Sequence, residues 1–212
     1  ATIPESDQAR YCAVVGLCLD DDGKVVGDYF PNAPLDADAA ALWFDYRVNG
    51  EKLNCFQTHV LGDFPFPENI PDLVPENVVW FRMARHYKQR CFNVPVRIYH
   101  RDVESLTQPA DPLRARRLRA QGAVLSYAEA LDHLTWRRAL RAPMRAFFLA
   151  TQYNRFCMYL PAGVEPATPV GWGQRAWVGM LKPAGWLLYL LDRGQLTQRV
   201  RDTLARWGLR FW

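Results

Sequence analysis

The chain has 212 residues, a length that fits one large domain or two small ones and allows a sizeable buried core. Half of the residues are hydrophobic and 23% are charged, a globular balance that excludes a largely disordered chain. The net charge of +4 conceals an asymmetry. Residues 1–106 carry 10 basic and 16 acidic side chains, whereas residues 107–212 carry 16 basic and 6 acidic ones. Halves of opposite charge suit contacts with different partners.

The start of the chain and its cysteines indicate a compartment. Residues 1–20 show neither the basic nor the apolar region of a signal peptide. Two explanations for a start at Ala1 stay open, the loss of an initiator Met and the removal of a targeting peptide. Five cysteines, an odd number without any C-x-x-C pair, argue against a disulfide framework and against a zinc site. We therefore expect an intracellular protein in a reducing compartment.

The first half has the composition of β-hairpins. Residues Tyr11 to Leu19 are apolar on both faces, which predicts a buried strand. Asp22 and Gly23 form a favourable two-residue turn, so Val25 to Phe30 is predicted as the returning strand. These two segments make the first predicted hairpin.

A second hairpin is predicted around Asn49 and Gly50. This dipeptide adopts the positive φ angles of a type I′ turn at low cost, and it lies between two strand-like segments, Leu42 to Val48 and Glu51 to Val60. Such a turn fixes the strand register, which would give the pair one largely apolar face and one mixed face.

A third pair of strands follows a loop that contains four prolines, residues 64–76. The pair comprises Val78 to Arg85 and Phe92 to Arg101. Pro95 places the second of these strands at a sheet edge, because proline cannot donate a ladder hydrogen bond. Residues 1–106 are therefore predicted to form an antiparallel β-hairpin sheet of about six strands.

The second half, residues 107–212, is predicted to be helical and to pack with the sheet as one compact α+β unit. Asp111 and Pro112 are favourable at the start of a helix, and Gly122 can end it. Ser126 and Glu129 have the spacing of a capping box, which predicts the start of a second helix.

Proline punctuates the rest of the helical half. Pro143 predicts that the second helix stops near Ala142 and that a third one starts, with one side formed by Met144, Phe147, Phe148 and Thr151. Residues 161–173 contain three Pro and three Gly and are predicted as a loop. A final helix is predicted from the spacing of Leu196, Val200, Leu204 and Trp207.

The most apolar stretch is residues 176–191. Its 16 residues are interrupted by Lys182 and Pro183, so it is too short and too broken to span a membrane, which takes about 20 residues. Two alternatives stay open at this point: a core segment, or a segment that contacts lipid at a membrane surface.

No familiar chemical motif appears in the sequence. None of the three serines lies in G-x-S-x-G, and the four histidines lack the spacing of a zinc site. Cys55 and His59 would lie roughly 13 Å apart on one strand, too far for a nucleophile–base pair. We therefore predict no catalytic residue, metal or cofactor. An enzyme class without a linear motif is the third and weakest alternative.

Basic and aromatic side chains on the third strand pair favour a second function, contact with RNA. An exposed sheet face can stack bases on aromatic rings and neutralise phosphates with arginine. The candidates are Trp80, Arg82, Arg97, Tyr99 and Arg101. An ordinary solvated face, or arginine paired with acidic neighbours, explains the same pattern.

Tryptophan and arginine concentrate towards the C-terminus, and both are enriched at protein interfaces. The predicted interface residues are Trp172, Trp177, Trp186, Trp207, Arg210, Phe211 and Trp212. Our first functional hypothesis is therefore a non-catalytic accessory subunit of a large multi-protein assembly. The apolar 176–191 segment favours a membrane-bound organellar complex, such as a mitochondrial respiratory or ATP-synthesising one. An RNA-contacting protein, such as a ribosomal component, is the alternative.

Overall fold

A computed structural model describes residues 3–70, 73–100 and 112–194 of the protein. These residues combine one four-stranded sheet with nine α-helices and one 3₁₀ helix, Glu5–Arg10, so the predicted α+β class is confirmed. The predicted sheet of about six antiparallel strands is wrong in detail. In the described part of the chain the sheet is smaller and mixed, and three helices interrupt the first half.

The four strands are β1 (Tyr11–Leu19), β2 (Leu35–Ala37), β3 (Lys52–Phe56) and β4 (Lys88–Ile98), in the order β2-β4-β1-β3. β1 pairs antiparallel with β3 but parallel with β4, and β2 pairs antiparallel with β4. β1 has the predicted bounds. It lies between two other strands and is buried along most of its length, which agrees with its two apolar faces.

The first predicted hairpin forms only at its turn, where Gly23 has a φ of +78° and its N–H donates to the Asp20 carbonyl at 3.0 Å, and the predicted returning strand is absent from the described residues. Only one isolated bridge, between Leu19 and Val25, connects β1 to the segment that follows. Gly27, in the middle of the predicted returning strand, has a φ of +91° and therefore departs from extended geometry. The chain leaves the sheet there instead of running back along β1.

Helix α1 (Ala39–Phe44) takes the first part of the predicted Leu42–Val48 strand, and the rest of that segment forms no strand, so the Asn49–Gly50 hairpin is also wrong. The Asp38 side chain accepts a hydrogen bond from the Ala41 backbone N–H at 2.7 Å and caps the helix. Gly50 has the predicted positive φ, at +83°, but for another reason. A Cβ on Gly50 would lie 2.4 Å from the Cα of Gly27, so glycine permits two backbone segments to touch.

The rest of the first half mixes correct and wrong predictions. β3 lies within the predicted Glu51–Val60 strand, but helix α2 (Thr58–Asp63) takes its second part. The predicted Val78–Arg85 strand is helix α3 (Asn77–Met83). Val79 and Met83 of α3 belong to the apolar cluster beside β1, whereas Phe81 belongs to the cluster of the helical half. A helix buried on both sides has the apolar composition of a buried strand.

β4 corresponds to the predicted Phe92–Arg101 strand but lies inside the sheet. Pro95 is tolerated because β2 pairs with β4 only from Gln89 to Cys91, so the Pro95 part of β4 has a neighbouring strand on one side within the described residues. The register between β1 and β4 also shifts next to the Pro95 pair.

The helical half begins with α4 (Pro112–Leu118) and α5 (Ala120–Asp132). The predicted helix end at Gly122 and the capping box at Ser126 are both wrong, because α5 runs through these positions. A Cβ on Gly122 would lie 2.2 Å from the carbonyl oxygen of Leu73, so this glycine allows a close helix–loop contact. Ser126 is buried and its Oγ donates to Asn77 Oδ1 at 2.7 Å.

Four further helices follow: α6 (Trp136–Arg141), α7 (Pro143–Cys157), α8 (Trp172–Met180) and α9 (Lys182–Asp192). Pro143 starts α7 as predicted, and the predicted loop separates α7 from α8. The 176–191 stretch breaks into two helices, with Lys182 and Pro183 at the start of α9. The predicted final helix at 196–207, Arg101 and Asp111 lie outside the described residues.

Apolar and charged contacts join the two halves of the chain. The largest apolar cluster combines residues of α1 and α3 with residues of α5, α7 and α8. At its border Arg82 Nε donates to Glu129 Oε1 at 2.7 Å, and Arg138 Nη2 donates to Asp45 Oδ2 at 2.8 Å. The Arg138–Asp45 pair joins a basic residue of the second half to an acidic residue of the first, as the charge excesses of the halves favour, whereas Arg82–Glu129 joins the halves in the opposite sense.

Candidate interaction surface

The RNA candidates do not share a sheet face, because Trp80 and Arg82 belong to helix α3. The Trp80 ring stacks on Phe56, with centroids 4.3 Å apart, and Arg82 is engaged by Glu129. Arg97 on β4 is exposed and lies over the ring of Tyr99 at 5.6 Å. Two of the five candidates therefore already have structural partners, and Arg101 lies outside the described residues.

The tryptophans predicted at the interface lie in different environments. Trp172 is 81% exposed and Trp186 is 53% exposed. Trp177 is partly buried, packs against the largest apolar cluster, and donates its indole N–H to the Ala146 carbonyl at 3.1 Å. The other predicted interface residues, Trp207, Arg210, Phe211 and Trp212, lie outside the described residues.

A row of exposed apolar side chains runs along α6 and α7. Its members recur at every fourth residue, on both sides of the break at Ala142, and we call them the α6–α7 stripe: Trp136, Leu140, Met144 and Phe148. Leu140 is 73% exposed and Met144 is 68% exposed. Side chains four residues apart lie on one face of a helix, so each helix directs an apolar face to solvent.

The sequence carries this stripe, but its spacing alone does not distinguish it from a core face. Thr151, which was predicted to share a side with Met144, is buried. The stripe is exposed because arginines that lie between its members in sequence attach the other side of the helices to the first half of the chain. Arg138 is held by Asp45, and Arg145 donates to the Trp43 carbonyl at 2.6 Å, so the opposite side of α6 and the start of α7 face the first half.

A second exposed apolar surface belongs to α8 and α9. We call it the outer face, and it consists of the exposed residues Trp172, Arg175, Met180, Lys182, Pro183 and Trp186. The inner side of the same two helices packs on α7, where the Asn154 amide donates to the Val178 carbonyl at 2.8 Å. Gly185 on the inner side is buried.

The two surfaces lie near each other at the start of α8. The Gln174 amide donates to the Leu134 carbonyl at 3.1 Å, and the backbone N–H of Val170 donates to Asp132 Oδ1 at 2.7 Å. These contacts attach the first turn of α8 to the α5–α6 connection, which precedes Trp136. Val170 itself is 80% exposed.

Exposed cations accompany both surfaces. Arg137 and Arg141 beside the stripe, and Arg175 and Lys182 on the outer face, have no acidic partner among the residues that the structure describes. Arg137 lies over the Trp136 ring at 5.3 Å. Along the chain this region carries a positive charge, since Glu165 is the single acidic residue between Asp132 and Asp192.

The thiols of Cys12, Cys18, Cys91 and Cys157 have pKa values raised above their usual value. All five are free, and burial is the main cause that raises the pKa of the Cys12 and Cys157 thiols to about 11 and that of Cys91 to about 12. A catalytic thiol needs the opposite shift. Within the described ranges no three His, Cys, Asp or Glu side chains are grouped as a metal ion requires.

An open cavity of about 450 Å³ lies where α4, α7 and α9 meet. It is lined by Arg117, Leu118, Met158, Tyr159, Leu160, Pro161 and Tyr189. The Tyr159 hydroxyl donates to Asp192 Oδ2 at 2.9 Å, and burial raises the pKa of this phenol. Its lining residues thus offer no acid–base pair poised near neutral pH.

Of the helices in the described residues, none combines the length and apolarity that crossing a bilayer demands. No family model, curated protein or solved structure matches the chain.

Proposed function

We propose that this protein is a non-catalytic accessory subunit that docks onto a large multi-protein assembly through the α6–α7 stripe. The observation that carries the proposal is the exposure of four large apolar side chains at regular spacing, with Leu140 at 73% and Met144 at 68%. Exposed apolar side chains that group into one patch mark interaction sites, so we expect the faces of the two helices to contribute to one surface.

The composition of the stripe supports a protein partner. Tryptophan, phenylalanine, methionine and arginine are the residues enriched at the centre of protein interfaces. Trp136 and Phe148 are aromatic anchors, and Arg137 and Arg141 are exposed beside them without acidic partners in the described part of the chain. A partner that covers the stripe and supplies carboxylates at its rim would satisfy both features.

The same proposal places the assembly at an organellar membrane, as a respiratory or ATP-synthesising complex of mitochondria would be. Its support is the apolar and cationic outer face of α8–α9, which lies close to the stripe. Five free cysteines agree with a reducing compartment.

Native co-purification tests the proposal. The tagged protein is isolated from its own cells with and without RNase, sized on a gradient, and its partners are identified by mass spectrometry. We expect co-migration with a large RNase-resistant protein complex. Leu140→Glu should lower the fraction in that complex about tenfold or more, because a charge would be buried at the centre of the interface.

Tyr29→Glu is the matched control. Tyr29 is 62% exposed and is not a member of the stripe, so its variant should co-migrate like the parent. A monomer on the gradient, or equal co-migration of both variants, would refute the proposal. RNA-dependent partners would support the RNA-contacting alternative in its place.

A further inference from the structure

We propose that the outer face of helices α8 and α9 is a docking site for the surface of an anionic lipid bilayer. This inference goes beyond subunit docking, because it concerns a different surface and a lipid partner, and it can be tested on the isolated protein. The face would lie flat on the headgroups, with the rest of the molecule on the aqueous side.

The apolar part of the outer face has the composition of a bilayer interface. Trp172 and Trp186, at its two ends, are 81% and 53% exposed, and Met180 between them is 68% exposed. Tryptophan is favoured at headgroup level, where its apolar body and its N–H group both find suitable surroundings. Two tryptophans and a methionine directed to water cost hydration free energy that a bilayer surface removes.

The charge of the outer face is complementary to anionic headgroups. Arg175 and Lys182 are exposed and have no acidic partner among the described residues. No Asp or Glu occurs between Glu165 and Asp192, so nothing along this stretch would repel a negative surface. Exposed cations next to exposed apolar side chains are the pattern of helices that bind anionic membranes in the plane of the interface.

The outer face has no other polar side chains, and this favours a lipid partner over a protein partner. The remaining exposed residues between the two tryptophans are Gly173, Ala176, Gly179, Met180 and Pro183, none of which has a side-chain hydrogen-bonding group. Specific protein interfaces carry about one hydrogen bond per 100–200 Å². A bilayer needs only apolar area and positive charge, and these are what the face presents.

The inner side of α8 and α9 keeps this surface directed outward. Gly185 packs so closely on α7 that an added Cβ would lie 2.4 Å from the Asn154 Cβ. The Trp177 indole N–H and the Val178 carbonyl are both hydrogen-bonded to α7. Rotation that would bury Trp172 or Trp186 would break these contacts, so the outer face is a fixed feature of the fold.

Vesicle flotation with the purified full chain tests the inference. The probes are phosphatidylcholine vesicles and phosphatidylcholine vesicles with about one-third phosphatidylglycerol. We expect binding to the anionic vesicles that weakens with added salt, and much weaker binding to the neutral ones. Arg175→Glu with Lys182→Glu should weaken anionic-vesicle binding about tenfold or more.

Two matched controls distinguish an effect of the outer face on vesicle binding from the effects of net charge and of exposed apolar side chains in general. Arg137→Glu with Arg141→Glu makes the same change in net charge at exposed positions of α6, and it should weaken binding less than about threefold. Trp172→Ala with Trp186→Ala should abolish most binding, whereas Trp136→Ala, which removes a 68% exposed tryptophan of the stripe, should not. Thermal unfolding of each variant confirms that it is folded.

Three outcomes would overturn the inference: equal binding to both vesicle types, equal loss in the two charge variants, or no loss in the Trp172→Ala and Trp186→Ala variant. Its failure is distinct from failure of the proposed function. Co-migration with an assembly but no vesicle binding would remove the lipid site, and with it the outer-face support for a membrane location, while the subunit role would stand. Vesicle binding by a protein that joins no assembly would remove the subunit role alone.

Discussion

Helices α8 and α9 have an inner and an outer side, and the two sides place the same kinds of residue in opposite environments. On the inner side, the Asp192 side chain is 4% exposed. Its carboxylate forms ion pairs with Arg155 and Arg116 and accepts a hydrogen bond from the Tyr159 hydroxyl. On the outer side Arg175 and Lys182 lack acidic partners within the described residues. Large apolar side chains remain exposed there, while a glycine makes the closest inner contact.

The difference between the two sides follows from the hydration of charged groups. A charge that loses its hydration on burial must be paired, whereas an exposed charge is solvated and needs no protein partner. Charged residues on the inner side therefore stabilise the fold, and those on the outer side are available for binding. Three pairs of substitutions test whether the two sides differ in this way.

The largest effect is expected at the buried ion pair. Asp192→Asn leaves the Arg155 guanidinium, 3% exposed, without its carboxylate, and we expect the free energy of unfolding to fall by about 3 kcal/mol. Urea unfolding followed by circular dichroism measures it. Arg175→Gln on the outer side should unfold at the same urea concentration as the parent.

A double variant sharpens this test. Asp192→Leu with Arg155→Met removes both charges and should recover part of the lost stability, because no buried charge is then left without its partner. The recovery is partial, since Arg116 also lies 3.6 Å from Asp192. A double variant less stable than Asp192→Asn would show that the pair does not act through its charge.

Glycine substitutions probe the packing of the two sides. Gly185→Ala would place a Cβ 2.4 Å from Asn154 Cβ and 2.9 Å from the Arg155 nitrogen, which should cost about 1–3 kcal/mol. Gly179→Ala meets nothing within 4 Å and should be neutral or stabilising by up to about 1 kcal/mol. Melting temperatures that shift in the same direction would contradict the assignment of the two sides.

The smallest effect is expected for the tryptophans. Trp177→Phe removes the indole hydrogen bond to Ala146 and should lower the free energy of unfolding by about 1 kcal/mol. Trp172→Phe keeps an aromatic ring at an 81% exposed position and should leave stability unchanged. Denaturant unfolding of the two variants side by side decides the point.

Prediction from the sequence succeeded where one local signal agreed with the tertiary environment. β1 was predicted with its bounds, because a strand with two apolar faces belongs inside a sheet. Pro143 starts α7 because proline has no N–H to satisfy at the first helical position. The loop before α8 is correct for a similar reason, since its prolines and glycines oppose regular structure.

It failed where a short segment fitted two structures equally well. Residues 78–83 have the apolar and β-branched composition of a strand, yet they form a helix buried between the sheet and α5. Gly122 and Ser126 carry helix-end signals, but both lie within α5, where one allows close packing and the other bonds to Asn77. Packing across the molecule overrode local preference in each case.

The candidate surfaces were predicted only in part. Trp172 and Trp186 were named from the sequence and are exposed, although the interface they were assigned to stays a prediction. Trp136, Leu140 and Met144 were not predicted as surface residues, because apolar side chains at every fourth position of a helix usually indicate a face that is buried in the core. Trp80 and Arg82 were expected on a sheet face that does not exist, since the segment that carries them is helical.

By itself, the sequence determined the mixed class, the central strand, the helical second half and the charge asymmetry between the halves, because composition and proline or glycine punctuation act locally. Only the tertiary structure decided which apolar rows are buried and which arginines are paired. Those outcomes depend on contacts between residues far apart in the chain, such as Arg138 with Asp45, and no local pattern encodes them.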